Sequence, residues 1–184
     1  MDHWITQTEA RILDLFRKRP ASDYSISEIA AALETGSYAW TFNAIKRLER
    51  AGIVSTKQRG HLKLVRINLS SPLTVEYLSL LDLHEAQKAR APGVPMPESV
   101  GGEYFTLLYF DRSFHVVMPE CGKAEDFSGI KAKIMKASEF VTLMRGPRGR
   151  EIAGKRLIFH GAGAYYSMLK EAMGAWGMKG GDGH

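Results

Sequence analysis

The sequence is poor in cysteine and in long apolar runs. Its single cysteine, Cys121, can close no internal disulfide and has no second ligand beside it at zinc-site spacing. An ordinary small residue in a reducing compartment is its plainest reading. No stretch approaches the roughly eighteen apolar residues of a membrane span. The opening Met1-Asp2-His3-Trp4-Ile5-Thr6 has neither a basic start nor an apolar core of signal-peptide length. A cytoplasmic protein with no membrane partner is therefore expected. Proline is scarce, and only Ala91 to Gly102 is dense in both proline and glycine, so that stretch reads as a linker. No internal repeat is visible.

What is present is enough apolar sequence for real cores. The 184 residues, 45% hydrophobic and 24% charged, have the balance of a globular protein and are long for one compact domain. Thr6 to Arg19 places Ile12, Leu13, Leu15 and Phe16 near one helical face, with Thr8 and Glu9 early, Arg17-Lys18-Arg19 late and Pro20 as a stop. Ser25 to Leu33 is a short helix in which Ser25 and Glu28 form a capping box and Ile26, Ile29, Ala30 and Leu33 face inward. Thr35-Gly36-Ser37 turns the chain into a third helix, Tyr38 to Ala51, with Thr41, Ile45 and Leu48 on one face and Gly52 as a left-handed stop. That order, short helix, small-residue turn, longer helix, is a helix-turn-helix.

Ile53 to Lys57 and Leu62 to Leu69 read as two strands around Gln58-Arg59-Gly60-His61, a hairpin with a basic tip, or wing. Ser71 then caps a helix from Pro72 to about Ala89. Its apolar stripe of Leu73, Tyr77, Leu80, Leu81 and His84 is widened by Val75, Leu78 and Leu83, which is more than one small domain covers. A subunit interface or docking of the second half is expected there. Beyond the linker come strands Tyr104 to Phe110, Phe114 to Met118 and Ile130 to Met135, helices Ser138 to Arg145 and Arg148 to Arg156, strand Leu157 to Phe159 and helix Ala164 to Trp176. The expected fold class is α+β: a winged helix-turn-helix with a trailing helix (1–90), a linker (91–102), a small α/β domain (103–176) and a glycine-rich tail (177–184).

The charge is uneven. From Ser37 to Arg66 the chain carries Lys46, Arg47, Arg50, Lys57, Arg59, Lys63 and Arg66 against the lone acid Glu49, an excess larger than the whole chain's net charge of +5. A charge run is ordinarily a solvated helix face. Here it coincides with the two elements that a winged helix lays on double-stranded DNA, the second helix of the turn motif in the major groove and the wing on the backbone. Base edges need donors and acceptors, which Ser37, Tyr38, Trp40, Asn43, Lys46 and Arg47 supply. Phosphates need the cations of helix and wing, and Lys57, Arg59, His61 and Lys63 supply those of the wing. Core burial is the competing reading for the aromatics; it applies most to Phe42, since the register of Ile45 and Leu48 turns Tyr38 and Trp40 outward.

Ala44-Ile45-Lys46-Arg47-Leu48-Glu49-Arg50-Ala51-Gly52-Ile53-Val54 resembles the helix-to-wing junction of bacterial and archaeal winged-helix regulators of the ArsR and MarR kinds, a likeness covering Thr8 to Leu69. Ser70-Ser71-Pro72-Leu73 and its long helix resemble an archaeal subgroup in which the winged helix precedes a nucleotidyltransferase-like domain. The resemblance implies homodimers on palindromic DNA sites. It also implies a Gly-Ser turn after the second domain's first strand, then two aspartates one residue apart that hold magnesium. That pattern is missing, because Asp111-Arg112-Ser113 leads directly into Phe114-His115-Val116-Val117-Met118. The segments Lys136 to Phe140, Glu151-Ile152, Leu157 to Gly161 and Tyr165-Tyr166 resemble the close of such domains.

A sequence-specific transcriptional regulator is expected, with a degenerate, non-catalytic second domain for dimerisation, for sensing a small-molecule effector or for meeting a partner protein. Neither cofactor nor metal is expected. The alternatives are a divergent nucleotidyltransferase and a winged-helix protein-interaction module. His115, His160 and Cys121 show no spacing of a Cys-His nucleophile. Gly161-Ala162-Gly163-Ala164, near Lys155 and Arg156, offers backbone amides to an anion, but without a P-loop lysine or a third glycine a plain tight turn is the better reading. An effector, if there is one, is expected in an apolar crevice between the Pro72 to Ala89 helix and the second domain.

Overall fold

The computed structural model describes residues 5–34, 37–89, 106–120 and 132–176. Cys121, the 91–102 linker, the 177–184 tail, and the outer ends of the expected Tyr104 and Ile130 strands lie outside them. The described residues form an α+β structure with two sheets, and the chain divides into two compact units, Met1–Leu78 and Ser79–His184. No described helix is long and apolar enough to cross a membrane.

In the first unit, helix α1 (Gln7–Lys18) starts at Thr6, whose hydroxyl accepts the Glu9 amide while the Glu9 carboxylate accepts the Thr6 amide at 2.7 Å. This reciprocal box satisfies two donors that a helix start otherwise leaves bare. The sequence reading began the helix at Thr6 without assigning it that box. Ser25 and Glu28 repeat the device at helix α2 (Ile26–Ala32). Just before it lies a strand the periodicity did not reveal, β1 (Tyr24–Ser25), because two residues carry no period. Helix α3 (Tyr38–Arg50) ends in a Schellman turn. Gly52, at φ 71°, donates to the Glu49 carbonyl, and Ile53 donates to the Leu48 carbonyl at 2.9 Å.

Strands β2 (Val54–Arg59) and β3 (Leu62–Ile67) pair antiparallel, and β1 adds to the far side of β3, giving the order β1-β3-β2. Ile12, Leu13, Phe16, Ile29, Ala44, Ile45, Leu48, Ile53 and Val65 make a core of fully buried side chains. Burying a side chain of that kind stabilises by roughly 1.5–3 kcal/mol before entropy is counted, so these residues bind three helices and a hairpin into one piece. The hairpin turn is tighter than the four residues expected. Arg59 pairs with Leu62, leaving only Gly60 (φ 59°) and His61 to turn, with glycine at the position where a two-residue loop needs positive φ.

Helix α4 (Pro72–Ala89) runs from one unit into the other. Of the expected apolar stripe only Leu78 is fully buried within this chain. Thr74, Leu78, Asp82 and Ala86, at i, i+4, i+8 and i+12, are buried, whereas Leu73, Leu80 and Leu83 are exposed. Hydrophobicity misled because two of the four inward positions are polar: Thr74 donates to the Ile53 carbonyl at 3.2 Å, and Asp82 belongs to a buried ion pair. The division into compact units falls within this helix, after Leu78.

The second unit has a four-stranded sheet in the order β6-β5-β4-β7, made of β4 (Thr106–Phe110), β5 (Ser113–Met118), β6 (Ala132–Lys136) and β7 (Leu157–His160). The β4 strand is antiparallel to β5 and β7, and β5 is parallel to β6. Helices α5 (Ala137–Arg145), α6 (Gly149–Lys155) and α7 (Ala162–Trp176) complete it. Leu107, Phe114, Val116 and Met118 are buried together on one side of the sheet, and Leu108, Phe110 and His115 are buried on the other. Burial on both faces is why β4 and β5 read as nearly continuous apolar runs.

Candidate nucleic-acid interface

Helix α3 buries Thr41, Ala44, Ile45 and Leu48 and therefore presents Tyr38, Trp40, Asn43, Lys46, Arg47 and Arg50 outward. Trp40 is 70% exposed, a large apolar surface left open at a helix start. Tyr38 stacks on half-buried Phe42 with centroids 6.2 Å apart, and the Lys46 ammonium lies 4.7 Å from the Phe42 centroid. Ser37 is the N-cap, its hydroxyl accepting the Trp40 amide at 3.4 Å. Its oxygen thus serves the helix itself.

The cations fall into two groups. Arg47 donates from Nε to Glu9 at 2.8 Å, Lys63 reaches Glu49 at 3.2 Å, and Arg66 makes a two-point contact with Asp23 at 2.6 and 2.8 Å. Lys46, Arg50, Lys57 and Arg59 are exposed and form no ion pair among the described residues. The hairpin register explains the sorting. Thr56 and Lys63 lie on the face where Glu49 of α3 meets them, with the Thr56 hydroxyl donating to Glu49; Lys57 and Arg59 alternate onto the opposite face. Exposed His61 occupies the second turn position.

Two acids hold this surface in place. Glu9 is fully buried. Burial pushes its carboxyl up, but the Thr6 amide, the Arg47 guanidinium and the Thr6 hydroxyl more than offset that and hold it below its ordinary value. On Glu49 the Thr56 hydroxyl acts first and, with Lys63, outweighs burial in the same direction. Both carboxylates are therefore anions at neutral pH, one fixing Arg47 and the other clamping the hairpin to α3. Neither they nor Arg50 stood among the expected site residues. Arg50 was legible as the residue three after Arg47 on the exposed face; Glu9 was not, because its partner lies 38 positions away.

In the second unit, β4 passes into β5 through Asp111 and Arg112, both left-handed at φ 53° and 57°. Two non-glycine residues in that region cost of order 1 kcal/mol or more each. Arg148 reaches Asp111 at 3.1 Å and lies 5.5 Å from the Phe110 ring. Elsewhere, the Tyr166 hydroxyl donates to Asp82 at 2.6 Å, and Arg156 donates to Tyr166 at 2.8 Å and to Asp82 at 3.3 Å. Burial opposes the Arg156 charge, yet Tyr165, Tyr166 and Asp82 around it raise its pKa, so it remains a cation; burial drives the Tyr166 phenol up. Arg156 is thereby removed from the anion reading of the Gly161 turn, and Lys155 pairs with Glu151 at 3.2 Å. Among the described residues no group of three His, Cys, Asp or Glu side chains is placed to hold a metal ion.

Compared with protein-family models, with curated proteins and with solved structures, the chain matches none of them.

Proposed function

We propose that the chain binds double-stranded DNA as a winged helix-turn-helix regulator of transcription, with α2 and α3 as the turn motif and β2–β3 as the wing. The order α1, β1, α2, α3, β2, β3 supports the winged-helix reading, as does β1 pairing with β3. One observation carries the functional reading: the exposed face of α3 and the outer face of the hairpin belong to one packed unit and hold Lys46, Arg50, Lys57 and Arg59, which form no ion pair among the described residues. Asn43, Tyr38 and Trp40 then meet base edges, and the wing cations meet phosphates. The likeness to ArsR and MarR regulators agrees with this. The exposed leucines 73, 80 and 83 of α4 suit a homodimer.

The second unit is read as non-catalytic, since a two-residue β4–β5 turn leaves no room for a Gly-Ser loop at that point. The protein is placed in the cytoplasm on this reading. The test is fluorescence anisotropy of the full chain with promoter and random duplexes across a salt series. Steep salt dependence with a preference for one duplex supports the proposal. Salt-insensitive or negligible binding to every duplex overturns it and favours a protein-interaction module.

A further inference from the structure

The sheet face that meets α5 and α6 contains a recess of about 30 Å³. Since a water needs ~10–15 Å³, it has room for about two water-sized oxygens. Its lining includes Phe110, Asp111, His115, Lys133, Phe140 and Arg148. The position of each polar group follows from the sheet register. His115 lies between Leu108 of β4 and Lys133 of β6, so the imidazole and the lysine are direct cross-strand neighbours. Arg148 is brought to the lip by its ion pair with Asp111 and by the Phe110 ring.

His115 is only 7% exposed, and its Nε2 is buried with no hydrogen-bond partner among the described residues. A buried polar atom of that kind costs roughly 1–3 kcal/mol unless something satisfies it. The groups around it are unbalanced in sign: Lys133 and Arg148 are cations, Asp111 is the facing acid, and the Phe110 carbonyl accepts a hydrogen bond from the ring. Asp111 already neutralises part of Arg148, whereas exposed Lys133 has no ion pair among the described residues.

We propose that this recess takes a small oxyanion, the carboxylate or phosphate end of a metabolite, with His115 at its floor and Lys133 and Arg148 at its lip. The oxyanion accepts a hydrogen bond from Nε2–H once a proton from solvent has been taken up, and the two cations meet its charge. Burial, then Lys133 and Arg148, hold the imidazole below its ordinary pKa against Asp111 and the Phe110 carbonyl. Anion and proton therefore bind together, and affinity rises as pH falls. The site lies wholly within the second unit and does not depend on the DNA-binding reading.

The experiment is ¹H–¹⁵N NMR of the imidazole signals in the full-length protein, titrated separately with acetate and with inorganic phosphate. Ionic strength is held constant with chloride, at about pH 5.5 and 7.5. Saturable movement of the His115 signals is expected, with the acetate Kd tighter at the lower pH, where the imidazole takes up its proton more readily. Whichever anion saturates at lower concentration identifies the headgroup. Lys133→Met, at an exposed position that leaves folding intact, weakens the Kd about three- to fivefold. His115 signals that follow pH alone in both anions overturn the proposal, as does anion-induced movement that never saturates or that Lys133→Met leaves unchanged.

Discussion

Lys57→Ala/Arg59→Ala tests the proposed wing by removing two exposed cations that form no ion pair among the described residues. Each phosphate contact contributes a slope of about −0.9 to log K against log salt. If Lys46, Arg50, Lys57 and Arg59 each meet one phosphate, the slope per bound chain is about −3.6, and the double variant retains about −1.8. Raising salt from about 50 to 200 mM then weakens the wild type about 150-fold and the variant only about twelvefold, and a dimer doubles both slopes. Lys63 supplies the internal control. Its ammonium already lies 3.2 Å from Glu49, so Lys63→Ala should flatten the slope by less than half of what Arg59→Ala does. Anisotropy titrations at five salt concentrations measure all of these. If Lys63→Ala matches Arg59→Ala, or if the double variant keeps the wild-type slope, the division between held and free cations is wrong.

Other predictions concern the residues behind that surface. Glu9→Gln should destabilise by about 1–3 kcal/mol in urea, since it weakens both the Thr6 box and the Arg47 contact. The folded-state pKa of Glu9 lies below the ordinary 4.5, so its contribution is complete above pH 4.5 and is lost as pH falls through the folded value. The wild type and Glu9→Gln should therefore converge in stability in acid; a gap that widens there would count against the assignment. Asp82→Leu strands Arg156 in a site where both side chains are 1% exposed and should cost about 3–5 kcal/mol, much of which Asp82→Leu/Arg156→Met recovers. Equal stability of the single and double variants would show that the pair is not coupled. At Gly149 a Cβ would overlap the Met144 carbonyl, so Gly149→Ala should lower the Tm of the second unit, at a cost of about 1–3 kcal/mol or more.

The elements were largely legible because most are long enough to show a period. Tyr38 to Ala51 was expected and Tyr38–Arg50 is found; Pro72 to Ala89 was expected and found unchanged. The two-residue β1 was not, and the burial of Asp82 on α4 was not legible because its partner Arg156 lies 74 positions away. The same limit applied at the surface. Local spacing identified the outward face of α3 and the basic hairpin, but it could not distinguish Lys63, which Glu49 holds, from Arg59, which nothing described holds. That distinction depends on strand register, and register becomes visible only when both strands are in place.

The β2 strand is the outermost strand of its sheet, paired on one side only, and the hydrogen-bonding groups of its free edge are a template on which a second chain could extend the sheet. Lys57 and Arg59 stand on that strand, where like charges on an incoming copy repel. The wing's cations thus also guard against edge-to-edge aggregation. A chain in which both were replaced by uncharged residues should form β-rich oligomers at concentrations where the parent stays dispersed.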